Sequence, residues 1–360
     1  MKPMRALARK MSFAGACAAL VTASLAVPAT AHAETTKDGL AWRLTPTGTD
    51  ARFRGLAAVS RNTAWLAGSG GTVLRTTDAG RTWQDVAPPD TAGLEFRDIE
   101  AFDARRAVVL AIGEGDASRL YSTSNGGHTW TLGFKNDDPK AFYDCVTFFD
   151  SRHGLAMSDP VDGKFRVIST SNAGRTWRVL PSKGMPAALE GEIAFAASGQ
   201  CLVSHGSRDV WLATGGASTS RVFHSRDRGR TWTVADTPLP SSASQGVFSV
   251  AFRDSRHGLA VGGDYRPGEP SPKAAATTND GGRTWHPADH PPAEYRSGAT
   301  PLAPRLPISL AVGPTGSDVT FNGGSTWTQF DGGSFDTVDC APGACWAAGE
   351  KGRAARLTTF

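Results

Sequence analysis

The chain has 360 residues, 40% of them hydrophobic and 20% charged, with a formal net charge of +4. Lys2, Arg5, Arg9 and Lys10 supply cations inside an acid-free stretch at residues 1–33, so the remainder is close to neutral. A near-neutral remainder excludes the basic excess that nucleic-acid binding requires, and no nucleic-acid partner is expected.

Residues 1–33 read as a secretory signal: the four cations, an apolar run over residues 11–27, and Ala31-His32-Ala33 as a small-x-small cleavage site. Cys17 does not make a lipoprotein signal, because Ala14-Gly15-Ala16 before it lacks a large aliphatic residue. No later stretch has the roughly 18 apolar residues of a membrane-spanning helix. The expectation is a secreted or periplasmic protein, processed near Ala33, with residues 34–360 as a single domain.

Residues 40–44, Leu-Ala-Trp-Arg-Leu, form an isolated strand ahead of a repeat. The octapeptide TTDAGRTW ends at Trp83 and recurs as TSNGGHTW, TSNAGRTW, SRDRGRTW, TNDGGRTW and TFNGGSTW, ending at Trp130, Trp177, Trp232, Trp285 and Trp327. Its chemistry is that of a tight hairpin. Asp78, Asn125, Asn172, Asp227, Asp280 and Asn322 accept backbone N–H bonds across the turn, Gly supplies positive φ, and Trp starts the next strand as a packing plate. These Asp and Asn residues are therefore structural Asp-box residues and not catalytic ones.

Successive Trp residues of the repeat are 47, 47, 55, 53 and 42 residues apart, the length of a four-stranded propeller blade. Between them, runs such as FRDIEAF, AVVLAIG and RLYSTS are strands without helical period. Only 33 residues follow Trp327, too few for a repeat unless the strand at Trp42 is added. The predicted fold is all-β: a seven-bladed β-propeller with four-stranded antiparallel blades, the N-terminal strand completing the last blade and hiding its edge. Such a closed ring needs no second subunit, so a monomer is expected.

Four cysteines follow residue 33. Cys340 and Cys345 flank Ala-Pro-Gly-Ala, a turn that a bridge could span, whereas Cys145 and Cys201 either pair or stay as buried free thiols.

The Asp-box octapeptides, the strand starts Phe53-Arg54-Gly55 and Phe96-Arg97-Asp98, and the blade count together resemble the photosystem II stability and assembly factor family of propellers. The resemblance covers nearly all of residues 40–360 and implies binding of a protein partner. Members are also called oxidoreductases. No GxGxxG follows a strand here, so no cofactor is expected.

In a four-stranded blade, the short repetitive turns, such as Ser151-Arg152-His153-Gly154, its copy at residues 255–258 and the Asp boxes, share one face. The long irregular loops at residues 135–141, 159–164, 264–273 and 286–294 share the other, which is where binding is expected. Inner strands begin on that same face. Alignment puts Arg54, Arg97 and Arg296, the last in Tyr295-Arg296-Ser297, near one rim with Asp336 between them. Three guanidinium groups there suit an anionic ligand or an acidic peptide, or else pair with inter-blade carbonyls and nearby acids. Tyr143, Asp144, Asp159, Asp264 and Tyr265 either complete a polar pocket or serve as solvated turn formers.

The favoured reading is a non-catalytic binding or assembly scaffold whose unknown protein partner or small anionic ligand sits at the channel mouth. The alternative is a glycosidase of sialidase type, which resembles this chain in its Asp boxes and would use the three Arg as a carboxylate clamp. Tyr143 or Tyr295, Glu192 and Asp336 would then be its nucleophile, base and acid, and FRVI at residues 165–168 is a partial match to the sialidase Arg-Ile-Pro signature. No zinc, GxSxG or Walker motif occurs, and Asp159-Pro-Val-Asp162-Gly163 is first a turn former rather than a calcium loop, so no metal is expected.

Overall fold

The computed structural model describes residues 39–359, so the expected signal at residues 1–33 lies outside the described residues. Seven four-stranded antiparallel sheets follow one another around an axis. Blade one is Phe53–Ala58, Ala64–Gly68, Val73–Thr76 and Gln84–Asp85, and the next five blades repeat this up-and-down order. Blade seven departs from it: Thr337–Ala341, Ala344–Ala348 and Ala354–Thr359 are completed by Leu40–Leu44. Leu40 lies opposite Thr359 and Leu44 opposite Ala355. The predicted propeller and its closure are observed.

Aromatic plates fill the space between blades. Trp83 of the octapeptide turn meets Trp346 of blade seven edge-on at 5.9 Å, and Trp65 meets Trp130 of blade two in the same way at 6.4 Å. Trp211 of blade four stacks on Phe252 of blade five at 3.7 Å. Trp65, Trp211 and Trp346 are wholly buried, and truncating a plate of this kind costs about 3–5 kcal/mol.

The octapeptide turn is built from its polar residues. Asp78 accepts the Thr82 backbone N–H at 3.0 Å and its hydroxyl at 2.6 Å, while Thr76 Oγ1 accepts the Gly80 N–H at 2.9 Å. Asn125, Asn172, Asp227, Asp280 and Asn322 accept the equivalent N–H in their blades. Two successive residues take positive φ, and the first need not be glycine: Ala79 (66°), Ala173 (62°) and Arg228 (60°) stand there. Each of the six turns donates one backbone N–H to the carbonyl of the first turn of its own blade, so both sets of turns share one face.

Both cysteine pairs are bridged. Cys340–Cys345 closes the hairpin between the first two strands of blade seven, and Cys145–Cys201 ties blade three to the start of blade four.

Candidate functional site

The first strands of neighbouring blades lie side by side around the axis and approach closely. A Cβ on Gly55 would come within 3.0 Å of the Asp98 backbone. The strands answer this crowding with β-bulges at their starts. Register slips between Phe53 and Gly55, Phe96 and Asp98, Tyr143 and Cys145, and Val247 and Ser249. Each bulge leaves one residue unpaired and re-aims its side chain. Those residues are Arg54, Arg97, Asp144 and Phe248, and all four line one cavity of about 820 Å³ at the axis.

Of the ten binding candidates read from the sequence, eight line this cavity: Arg54, Arg97, Tyr295, Asp336, Asp144, Asp159, Asp264 and Tyr265. Two do not. Tyr143 is buried one residue before its bulge against Phe134, and burial pushes its phenol up to about 12. Arg296 corrects the three-arginine alignment. Blade six starts its inner strand only at Gly298 and forms no bulge at Arg296, whose N–H instead bonds to Gly262 of blade five. The Arg296 guanidinium is buried against Asp318 at 2.5 Å, Thr315 and the Tyr295 carbonyl, and Tyr295 takes the place at the cavity wall.

The electropositive side of the cavity is therefore Arg54 and Arg97, joined by Arg52, which the sequence reading missed because it precedes the repeated strand start. Arg52 grips Asp336 with two hydrogen bonds of 2.7 and 2.8 Å. Arg54 makes no ion pair among the described residues, and its buried Nε has no hydrogen-bond partner. Burial lowers its pKa, against the opposing pull of Asp336. Arg97 donates to the Ala196 carbonyl at 3.1 Å and is 3.7 Å from Glu95. Burial and then the neighbouring Arg54 charge bring Arg97 down to about 10.

Across the cavity, burial raises both Asp144 and Asp159, the latter to about 7, and the Asp159 charge pushes Asp144 higher still. Asp159 accepts the Ala194 N–H at 2.9 Å, whereas the buried Asp144 Oδ2 has no partner. Asp264 behaves oppositely, held low first by its hydrogen bonds to Arg266. The remaining wall is aromatic. Phe195 stacks on Phe248 at 4.0 Å, Phe248 meets Tyr295 at 4.7 Å, and half-exposed Tyr265 closes over both phenylalanines.

The floor is the part the sequence did not announce. Blade four has no regular strand start. The chain at residues 193–201 runs through the axis instead. Ser198 donates to Ser297 of blade six, its carbonyl accepts from Thr337 of blade seven, and Gln200 bonds Val338 and Ala299. Gly199, at φ +80°, passes Asp98 so closely that a Cβ would lie 2.3 Å from its carboxylate. Residues 193–197 thus floor the large cavity, and residues 198–200 line a second one, of about 330 Å³, toward the octapeptide face. Asp98, Glu100 and Asp339 line that second cavity, all raised chiefly by burial. Glu192, nominated for the sialidase alternative, is buried in an ion pair with Arg221 and accepts from Thr214.

Solved structures of this architecture place the fold. "YCF48 bound to D1 peptide" superposes with a TM-score of 0.64 at 17% identity, over 95% of this chain and 100% of that one. YCF48 from Cyanidioschyzon merolae gives 0.61 at 14% identity, over 88% and 98%. The WD40 domain of Neurospora crassa Pan2 gives 0.59 at 12% identity, over 90% and 97%. At these identities the likeness is one of fold, and no curated protein sequence matches the chain. Residues 19–263 match the family described as the DUF6242 beta propeller domain, and the chain belongs to that family.

Proposed function

We propose that this chain is an exported, non-catalytic binding scaffold that holds the carboxylate of an acidic peptide or protein partner in its axial cavity. Arg54 and Arg97 are the anion-binding groups, with Arg52 and Asp336 positioning them. One observation carries the reading: two guanidinium groups are half-stripped of water beside one another, and Arg54 lacks any acid bound to it. An incoming carboxylate would pair with the Arg54 guanidinium and relieve the repulsion. The aromatic wall offers apolar contact, and Asp144, whose carboxyl is shifted by burial toward its neutral form, offers a polar group for neighbouring parts of the peptide. A fold-level neighbour, YCF48 bound to D1 peptide, supports a peptide ligand. In this reading the octapeptides are Asp-box turns, residues 1–33 are a cleaved signal, and both disulfides form outside the cytoplasm.

The test is calorimetric titration with acidic peptides carrying a free C-terminal carboxylate and with their amidated forms. Arg54→Ala and Arg97→Ala should each weaken binding of the free acid by about tenfold or more, and leave the amide unaffected. Equal binding of acid and amide by the unaltered protein would remove the carboxylate site.

A further inference from the structure

The opposite face of the ring has a character of its own. Lys135, Lys140, Lys164, Lys273 and Lys351 lie in loops or strand ends of the cavity face, Lys183 lies in a link beside the octapeptide turn of blade four, and the turns of the octapeptide face carry arginine instead. Blades three, four and five each present two exposed guanidinium groups there, one from each turn: Arg152 with Arg175, Arg208 with Arg230, and Arg256 with Arg283. None of the six is paired with a carboxylate among the described residues. The acids of these turns are engaged by their own turns. Asp227 and Asp280 hold the octapeptide backbone, and Asp150 and Asp254 bind the N–H groups of their own turns. The seam between blades seven and one repeats the pattern, since Arg356 is lowered by burial and by Arg43, Arg61 and Arg81 around it.

Blade six breaks the arginine pattern in one way only. Its octapeptide has Ser325 where the others have Arg or His, and it exposes Phe321 (49%) and Leu306 (46%) on adjacent turns joined by the Gly323 N–H to the Pro307 carbonyl at 2.7 Å. These are two of the six large apolar side chains exposed among the described residues, set beside Arg305.

We propose that this face is a membrane-docking surface, lying flat on bilayers that carry anionic phospholipid headgroups, with Leu306 and Phe321 as its apolar anchor. The arginine forks match phosphate geometry better than ammonium groups would. Each octapeptide turn is bonded to the first turn of its own blade, which keeps both sets of forks on one face. Charge alone gives weak reversible attraction to a bilayer, and an inserted apolar pair supplies the second signal that stable docking needs. That pair favours a lipid surface over a nucleic acid, which would have no use for exposed leucine and phenylalanine at the rim. The cavity then opens away from the bilayer. This inference is independent of the carboxylate site.

Vesicle flotation of the full chain tests it, using phosphatidylcholine alone and phosphatidylcholine mixed with phosphatidylglycerol at physiological salt. The protein should float only with the anionic vesicles. Arg175→Gln/Arg230→Gln/Arg283→Gln should weaken partitioning by about a hundredfold, since each surface cation is worth about fivefold. Leu306→Ser/Phe321→Ser should weaken it by about tenfold without altering charge. Lys140→Glu/Lys273→Glu, on the cavity face, should leave it unchanged, and unaltered thermal unfolding verifies each fold. Absence of binding to anionic vesicles overturns the proposal. So does wild-type flotation of the serine variant combined with equal competition by a short DNA duplex, which would make the face a general polyanion site.

Discussion

Asp339 accepts the N–H groups of Ala58 and Cys340, yet it faces the buried carboxyls Asp98 and Glu100 across the lower cavity. Burial raises it to about 6. Its folded pKa therefore exceeds the unfolded value near 3.8, and the native state holds the proton longer than the unfolded chain. The stabilisation is complete below about pH 4 and is lost as the pH climbs through 6, the reverse of a salt-bridged aspartate. Asp339→Asn, which mimics the protonated acid, should remove this dependence. Urea unfolding at several pH values should show the variant gaining roughly 2 kcal/mol on the wild type between about pH 4 and pH 7. Parallel curves would mean that Asp339 is ionised throughout. At this scale the sequence was legible where residues repeat. The aromatic-then-polar strand starts pointed to Arg54, Arg97 and Asp144, because the bulge that aims them accompanies an aromatic–polar–small triplet. The same triplet at Tyr295 misled for Arg296, since whether a bulge forms depends on the register with the next strand, which in blade six begins only at Gly298, and side-chain identity does not encode that register.

Strands and turns were readable for the same reason, and the segment at residues 193–201 was not, because it occurs once and Ser198 and Gln200 in its middle bond to blades six and seven. Its end is fixed covalently. Cys201 immediately precedes the inner strand Leu202–His205 and is bridged to Cys145 of blade three. The two disulfides should differ in weight. The Cys145–Cys201 loop spans 56 residues and the Cys340–Cys345 loop 5, so chain entropy assigns them about 4 and about 2 kcal/mol. Cys145→Ser/Cys201→Ser should accordingly lower the denaturation midpoint by clearly more than Cys340→Ser/Cys345→Ser, both read by guanidinium unfolding. Equal losses would show that strain or residual structure, rather than loop length, governs both bridges.

For the whole molecule, the Trp spacing was enough to give the number of blades and the partner of the first strand, since a ring of equal units leaves one place for a leftover strand. Deleting residues 34–44 should leave blade seven with Ala354–Thr359 as an open edge and expose Trp42's place against Phe330 and Phe335. Size-exclusion chromatography should then show concentration-dependent association beyond any shown by the full chain. A monomeric, equally stable truncated chain would mean that the edge is protected in some other way. The same closure also orders events in time. Ala41 and Thr358 are hydrogen-bonded across 317 residues beside the pairing of Leu40 with Thr359, so this closure carries the longest loop-closure cost in the fold and cannot form until the last strand has been made. On a ribosome or emerging from a translocation pore, Leu40–Leu44 is made early and must wait unpaired through the synthesis of the entire domain, an apolar ribbon whose exposure time is set by the speed of elongation.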